Sequence, residues 1–358
     1  MDRPDATALS PEAALGRIAH ILERRSEPTY RVRAFRMAAA RVRELGVTGV
    51  ARHVAAGTLR GVPGIGPVIA QVITEAFAGD VPGYLRKLES VEDRRIDGDA
   101  QALRAELRGD CHTHSDWSDG GSPIEEMAVT ARALGHEYIV LTDHSPRLTV
   151  ARGLTAERLV QQLEVVRVLN DRLAPFRILT GIEVDILEDG TLDQDPALLA
   201  QLDVVVASVH SKLRMPSANM TPRMIAAIGD PNTDILGHCT GRIVVGRGRP
   251  ESTFDADRVF TACREHDVAV EVNSRPERLD PPRRLLSQAI NAGCRLAIDT
   301  DAHAPGQLEW QINGCERAAE CGADPAMVVN TLSAEALRAW AGGTRFSYFP
   351  LKNSSLEP

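Results

Sequence analysis

The 358-residue sequence lacks several features that would each assign it to a particular class of protein. Its six cysteines include no C-x-x-C pair, which argues against a zinc ribbon and against a disulfide framework. No apolar run approaches the ~18 residues that a membrane span needs, and the N-terminal M-D-R-P-D-A has no apolar signal core. We therefore expect a protein of the reducing cytoplasm with no membrane partner.

Lysine is almost missing from the first 108 residues, where Lys87 is the only one. These residues carry 17 Lys and Arg against 14 Asp and Glu, a balance of +3, whereas the rest of the chain carries 24 against 35, a balance of −11. The N-terminal part of the chain is thus basic and the rest is acidic. This split suggests that the N-terminal part binds a polyanion and that the rest contains a cation-rich site. A solvated helix face explains any single arginine equally well.

Residues 1–90 predict a small helical domain. Apolar residues at helical spacing indicate one helix from Ser10 to Arg24 and a second from about Tyr30. The segment V-P-G-I-G then predicts a tight turn between two short helices. Its glycines, Gly64 and Gly66, let successive backbone N–H groups face an anion, although a plain helix–helix turn would look the same.

This turn resembles the helix-hairpin-helix, which binds DNA phosphates without reading bases, and residues 10–90 resemble the N-terminal domain of the family X DNA polymerases. The resemblance implies DNA as a partner. The candidate DNA-binding residues are Gly64, Gly66, Arg31, Arg33 and Arg36.

One departure from that family concerns its lyase activity, which uses lysines on and after the helix that follows the turn. Valines, Val68, Val72 and Val81, stand at those places, and Lys87 lies further along. A Schiff base needs an amine, so we expect no lyase activity. The first domain is followed by a charged connector, 91–107, a second domain, 108–345, and a tail, 346–358. The connector is too short to contain a polymerase core.

The stretch G-D-C-H-T-H-S-D-W-S-D-G begins the second domain. His112 and His114 are two residues apart, so in a β-strand both imidazoles point to the same face. Asp119 follows in a Ser-Asp-Gly turn, from which its carboxylate can reach back to the same place. Two polar residues on an edge strand would also give H-x-H, and the rest of the chain decides between these interpretations.

From Arg108 onward, short apolar strands alternate with helical segments, and each strand ends in His, Asp, Glu or Asn. Besides the opening strand, the predicted strands are 138–141, 177–179, 203–207, 234–236, 268–270 and 295–298. The clearest predicted helices are 155–173, 254–266 and one capped by Ser122 with Glu125 closing a capping box. Parallel strands joined by right-handed crossovers put all strand ends on one face, where nine metal-competent side chains would converge. The remaining histidines, His20, His53, His136 and His266, are expected to be ordinary core residues.

These motifs resemble those of the PHP (polymerase and histidinol phosphatase) family, appearing here as H-T-H, S-D-G, T-D-H, G-I-E, S-V-H, G-H and D-T-D-A-H. The resemblance implies an α/β fold, a distorted (β/α)7 TIM-like barrel, and three divalent metal ions per chain (Mn, Zn or Fe). The implied ligands are His112, His114, Glu183 and Asp301 for the first ion, Glu183, His210 and His238 for the second, and Asp119, His144 and His303 for the third. An aspartate in the third set favours manganese or iron over an all-zinc cluster.

The family resemblance implies hydrolysis of phosphate esters without a protein nucleophile. The catalytic candidates are Glu183, Asp301, His210 and His303, and the candidate substrate contacts are Asn273, Arg275, Lys212 and Arg242. A barrel of this kind together with a DNA-binding N-terminal domain indicates a 3′–5′ exonuclease or DNA-end phosphodiesterase. The alternatives are a small-molecule phosphatase of the histidinol-phosphatase type and a DNA-binding scaffold with an inactive barrel.

Overall fold

The computed structural model describes residues 9–91 and 98–346, with side chains described as far as residue 342. The chain divides into two compact units, Met1–Arg95 and Ile96–Pro358. Within the described ranges, no helix has the length and apolar character needed to cross a membrane.

The first unit is helical. Its helices are α1 (Pro11–Arg24), α2 (Thr29–Ala55), α3 (Pro67–Phe77) and α4 (Gly83–Glu89). Ser10 caps α1 by accepting a hydrogen bond from the Ala13 N–H at 3.2 Å. Gly46, with a φ of 62°, interrupts α2, whose buried Phe35 and Val42 pack in a core that all four helices share.

The predicted turn before α3 is present and anchored by apolar side chains. Val62 and Ile65 are buried, whereas Gly64, between them, and Gly66, directly after Ile65, are exposed. Gly64 has a φ of 85°, a conformation that residues with a side chain rarely adopt. Gly66 is the N-cap of α3 and has no side chain to cap it, so the first amides of the helix remain available to an external acceptor.

The second unit is built on seven parallel strands in the order β1 to β7. They are β1 (Gly109–Thr113), β2 (Tyr138–Leu141), β3 (Arg177–Asp185), β4 (Val204–Ser208), β5 (Ile235–Leu236), β6 (Ala269–Asn273) and β7 (Leu296–Asp299). A bridge between Thr113 and Ala302 joins the two ends of the sheet, so the barrel is nearly closed. This confirms the predicted distorted (β/α)7 TIM-like fold.

Helices cover the outside of the strands, which explains why the strand sequences are almost continuously apolar. These helices are α5 (Gly98–Glu106), α6 (Ile124–Ala133), α7 (Ala156–Leu173), α8 (Pro196–Leu199), α9 (Ser217–Ile228), α10 (Ala256–Glu265), α11 (Arg283–Asn291), α12 (Gln311–Glu320) and α13 (Ala334–Phe346).

Two local predictions differ from the structure. Within the stretch 91–107, which was expected to be a connector, α5 buries Ala100 and Leu103 in the core of the second unit, while residues 92–97 lie outside the described part of the chain. The prediction of a capping box at Ser122 and Glu125, before α6, is wrong. Pro123, not Ser122, is the N-cap, because the Ser122 carbonyl is committed to the Asp116 N–H of the preceding loop at 3.0 Å.

Candidate metal centre

The carboxylate of Glu183, on β3, lies fully buried at the centre of the strand ends. Five histidine rings approach it from four other strand ends, with His112 and His114 both at the end of β1. The nitrogen–oxygen distances to Glu183 are 3.3 Å for His112, 3.6 Å for His114, 2.8 Å for His144, 3.1 Å for His210 and 2.7 Å for His238. A single carboxylate therefore faces side chains from four other strand ends.

Asp119, Asp301 and His303 complete the cluster on one side. Oδ1 of Asp119 lies 3.3 Å from Nε2 of His303, and Oδ1 of Asp301 lies 3.4 Å from Nε2 of His114. Asp301 has a φ of 53°, an uncommon conformation for a residue other than glycine and one that often occurs at functional sites. All nine side chains selected from the sequence thus lie in one cluster.

Three groups within the cluster bring possible ligand atoms within 4.8 Å of one another. They are His112, His114 and Asp301; His144, Glu183 and His210; and His114, Asp119, His144 and His303. The first and last groups largely follow the implied ligand sets. In the second, His144 stands where His238 was expected, and His238 Nε2 instead contacts Oε1 of Glu183 at 2.7 Å.

Several buried polar atoms of the cluster make no hydrogen bond, which shows whether these residues fit metal ions. Among the described residues, no hydrogen bond is made by Nε2 of His112, both ring nitrogens of His114 and His210, Nδ1 of His144 and His238, and Oε2 of Glu183. Some of these nitrogens lie close to Glu183 without making a hydrogen bond to it. Buried polar atoms in proteins almost always have a partner. Imidazole nitrogens and carboxylate oxygens are the usual ligands of zinc, manganese and iron, so the donor set fits divalent metal ions.

The pKa values of His114 and Glu183 also favour metal binding. Burial, together with the charges of His303 and His144, lowers the pKa of His114 well below its usual value, so this ring is neutral, which is the form that binds metals. Although burial raises the pKa of Glu183, the charges of His210 and the other histidines hold that pKa well below its usual range. Glu183 is therefore ionised at neutral pH.

Glu271 supports the cluster and was missed from the sequence. Its Oε1 lies 2.6 Å from Nδ1 of His112, and its Oε2 accepts the backbone N–H of His238 at 2.5 Å. Glu271 lies on β6 two residues before Asn273, which was selected, so the two-residue period of the strand could have identified it. One carboxylate positions two of the clustered histidines.

Replacing Glu271 with glutamine is expected to weaken metal binding about 10- to 100-fold, the usual consequence of removing a carboxylate that orients a ligand histidine. Glutamine keeps the shape of the side chain but removes the charge facing His112. Titration of metal-free protein with Mn²⁺ by calorimetry measures the change. The exposed Glu265, at the end of α10, provides the matched control Glu265→Gln, and equal affinities for the two variants would contradict the role of Glu271.

An asparagine at the end of β6 and two arginines in the loop after it reach the cluster. Asn273 donates to Oδ2 of Asp301 at 3.2 Å, and Nε of Arg278 donates to the same oxygen at 3.1 Å. Nη1 of Arg275 lies 3.0 Å from Nδ1 of His303. Nη1 of Arg278 is buried and has no partner among the described residues. Arg278, which belongs to none of the predicted motifs, therefore offers a free donor beside the cluster.

The other two candidate substrate contacts lie further out. Arg242 donates from Nε to the Arg278 carbonyl at 3.0 Å, so its side chain supports the loop rather than the cluster. Lys212 is exposed on the loop after His210 and has no ion pair among the described residues.

The arginines proposed for DNA binding in the first unit have different environments. Arg36 forms a two-pronged ion pair with Glu23 at 2.7 Å, and Arg31 binds Glu27 and the Tyr84 hydroxyl. Arg33 is exposed and makes no ion pair with a described residue. Arg33 and the turn at Gly64 and Gly66 are thus the accessible part of that set.

A nearly closed parallel barrel with histidines and carboxylates buried at its strand ends defines a metal-dependent hydrolase of the TIM-like class. The sequence matches the PHP domain over residues 110–275 and a helix-hairpin-helix domain over residues 10–80. The chain belongs to the PHP family and is a metal-dependent phosphoesterase. Both resemblances predicted from the motifs are confirmed.

Two relatives show how much of each protein is shared. A DNA polymerase/3′-5′ exonuclease PolX of Bacillus subtilis (strain 168) is 40% identical over 235 residues, which are 66% of this chain and 41% of that protein. A probable phosphatase of Thermoanaerobacter sp. (strain X514) is 30% identical over 236 residues, which are 62% of this chain and 89% of that protein. The chain thus spans less than half the length of the Bacillus protein.

Among solved structures, a histidinol phosphate phosphatase from Lactococcus lactis subsp. lactis Il1403, crystallised with zinc, L-histidinol and phosphate, is similar with a TM-score of 0.43. It is 18% identical, and the match covers 61% of this chain and 95% of that one.

Proposed function

We propose that this protein is a metal-dependent nuclease that hydrolyses a phosphodiester at a DNA end, with the DNA held by the helical first unit. The observation that carries this proposal is the combination, in one chain, of the buried cluster around Glu183 and the exposed turn at Gly64 and Gly66. A phosphatase for small monoesters has no use for a helical unit that carries an anion-binding turn and an exposed Arg33.

The chain's own residues suit the binding of a phosphate at the cluster. The residues that would hold divalent ions are His112, His114, Asp119, His144, Glu183, His210, His238, Asp301 and His303. When bound, such ions neutralise charge on the phosphate and lower the pKa of a coordinated water to about 7. Asn273 and Arg278 hold Asp301 in place, and the free Nη1 of Arg278 is available to a phosphate oxygen.

The open side of the cluster is the side of Asp119 and His303. Their side chains are 36% and 17% exposed, whereas Glu183 and His112 are fully buried. A phosphate ester would approach from this side, close to Arg275, which lies against His303. Its leaving group would then face solvent.

The test compares two substrates with the full chain and Mn²⁺. We expect shortening of a 5′-labelled DNA oligonucleotide, with release of mononucleotides from the other end, at a rate well above that for histidinol phosphate. Efficient hydrolysis of histidinol phosphate with no change in the oligonucleotide would favour the second candidate, a small-molecule phosphatase, which the relationship to the Thermoanaerobacter protein supports.

The first unit is expected to bind DNA through its phosphates. Replacing Gly64 with valine forces a branched side chain into a φ of 85° and disturbs the amides that face the anion. We expect about tenfold weaker binding of full-length protein to DNA, by fluorescence anisotropy, and a shallower dependence on salt. Gly79 has a similar φ of 89° at the other end of α3, so Gly79→Val is the matched control. Equal losses in both variants would indicate simple destabilisation of the unit.

Lyase activity is not part of the proposal. Val72, at one of the places where the polymerase family has lysines, is buried in the core of the first unit, and Val68 is half exposed without an amine.

A further inference from the structure

The segment after His238 forms a short hairpin at the rim of the barrel, residues 241–250. Ile243 and Arg249 exchange both backbone hydrogen bonds, at 3.0 and 2.8 Å. Gly246 and Gly248 adopt φ angles of 61° and 64°, which the tight tip requires. The tip is therefore a defined structural element.

The hairpin is fixed to loops that carry residues of the metal centre. The Val244 N–H donates to the Glu277 carbonyl at 2.7 Å, and Arg242 donates to the carbonyls of Arg278 and Leu279. On its other side, a Cβ at Gly241 would lie only 2.7 Å from Leu213, in the loop after His210. The hairpin thus contacts both the loop after β6 and the loop after His210.

The surface of the hairpin and the loop after His210 combines apolar and cationic groups. Val244 and Val245, at the tip, are 49% and 47% exposed. Arg247, Lys212 and Arg214 are exposed and form no ion pair with any residue in the described ranges. Arg275 and Arg278, by contrast, contact His303 and Asp301 of the metal centre. Two exposed valines beside three free cations match the chemistry of a nucleic acid strand, which has apolar base faces and a row of phosphates.

We propose that the hairpin 241–250 is a strand-binding wedge of the barrel. Val244 and Val245 pack against the terminal bases of a DNA strand, while Arg247, Lys212 and Arg214 bind its phosphates. This inference rests on the proposed function and extends it, because it places selection for a polynucleotide in the barrel itself and not only in the first unit.

Steady-state kinetics of full-length variants with Mn²⁺ test the wedge. For Val244→Ser/Val245→Ser we expect the KM for a single-stranded DNA oligonucleotide to rise about tenfold. The kcat/KM for bis(p-nitrophenyl) phosphate, which has no bases and no further phosphates to bind the hairpin, should stay within about twofold. Arg247→Gln should reduce the salt dependence of the oligonucleotide KM by about one phosphate contact. The matched control is Val160→Ser/Val168→Ser on the outer helix α7, where these valines are 55% and 44% exposed. Unchanged oligonucleotide KM in the hairpin variants would overturn the inference.

A photocrosslinking measurement separates this inference from the proposed nuclease activity. Val245→p-benzoylphenylalanine in the full chain should crosslink to the oligonucleotide on irradiation, whereas Val160→p-benzoylphenylalanine should not. If wild-type protein hydrolyses small esters but not DNA, the proposed function fails, and the crosslink alone decides. Crosslinking from position 245 would then still support the wedge, and its absence would overturn it.

Discussion

Replacing Glu183 with glutamine is expected to reduce phosphate ester hydrolysis by at least about a thousandfold. A divalent ion contributes several kcal/mol of charge stabilisation to such reactions, and each 1.4 kcal/mol corresponds to about tenfold in rate. Both carboxylate oxygens of Glu183 face histidines, with contacts of 2.7 Å to His238 and 2.8 Å to His144. Glutamine preserves the shape but replaces one anionic oxygen with an amide that repels metal ions.

Two measurements on the same preparation test this prediction. The kcat with Mn²⁺ should fall, and elemental analysis should find less metal bound per chain. The exposed Glu188, in the loop after β3, supplies the matched control Glu188→Gln, which should behave as wild type. Retention of a tenth or more of the activity with full metal content would show that Glu183 is not central to the reaction.

Removing metal ions is expected to lower the melting temperature of the barrel by about 8 °C or more. A ligand present at a thousand times its Kd stabilises the native state by about 4 kcal/mol, and each kcal/mol shifts the melting temperature of a domain of this size by about 2–4 °C. The physical cause is the set of buried ring nitrogens, such as those of His114 and His210, that have no partner among the described residues.

Differential scanning calorimetry of the full chain, with Mn²⁺ or with a chelator, measures this shift. The first unit is an internal control, because its core consists of residues such as Leu15 and Ile73 and contains none of the clustered histidines. The variant His112→Ala/His114→Ala should lose much of the shift. An unchanged barrel transition after chelation would mean that metal ions do not bind at the cluster.

The parts of the barrel that the sequence predicts best are those fixed by local pattern. The strand 138–141 matches β2 at both ends, because an apolar run is bounded there by polar residues and turns. The strand 177–179 is six residues too short, since Glu183 and Asp185 continue β3 as buried charged residues that hydrophobicity alone cannot assign to a strand. Burial of these acids depends on partners that come from distant parts of the chain.

Residues with distant partners are the ones whose surroundings could not be predicted from the sequence. Arg36 looked like a DNA contact, but its partner, Glu23, lies 13 residues earlier on another helix. Arg278 belongs to none of the motifs in the sequence, but the loop folds back so that its guanidinium reaches Asp301, 23 residues away. Sequence spacing gives the face on which a residue lies within its own element, and not which element packs opposite it.

The contacts of Arg242 connect the rim hairpin with the metal centre. Arg242 binds the backbone of residues 278–279, and Arg278 in turn binds Asp301. The coupling free energy between two connected binding sites is the same in both directions. If a ligand on the hairpin changes the affinity for metal by some factor, then metal changes the affinity for that ligand by the same factor. If both proposed ligands bind, the change in DNA affinity caused by metal and the change in metal affinity caused by DNA therefore express one coupling free energy.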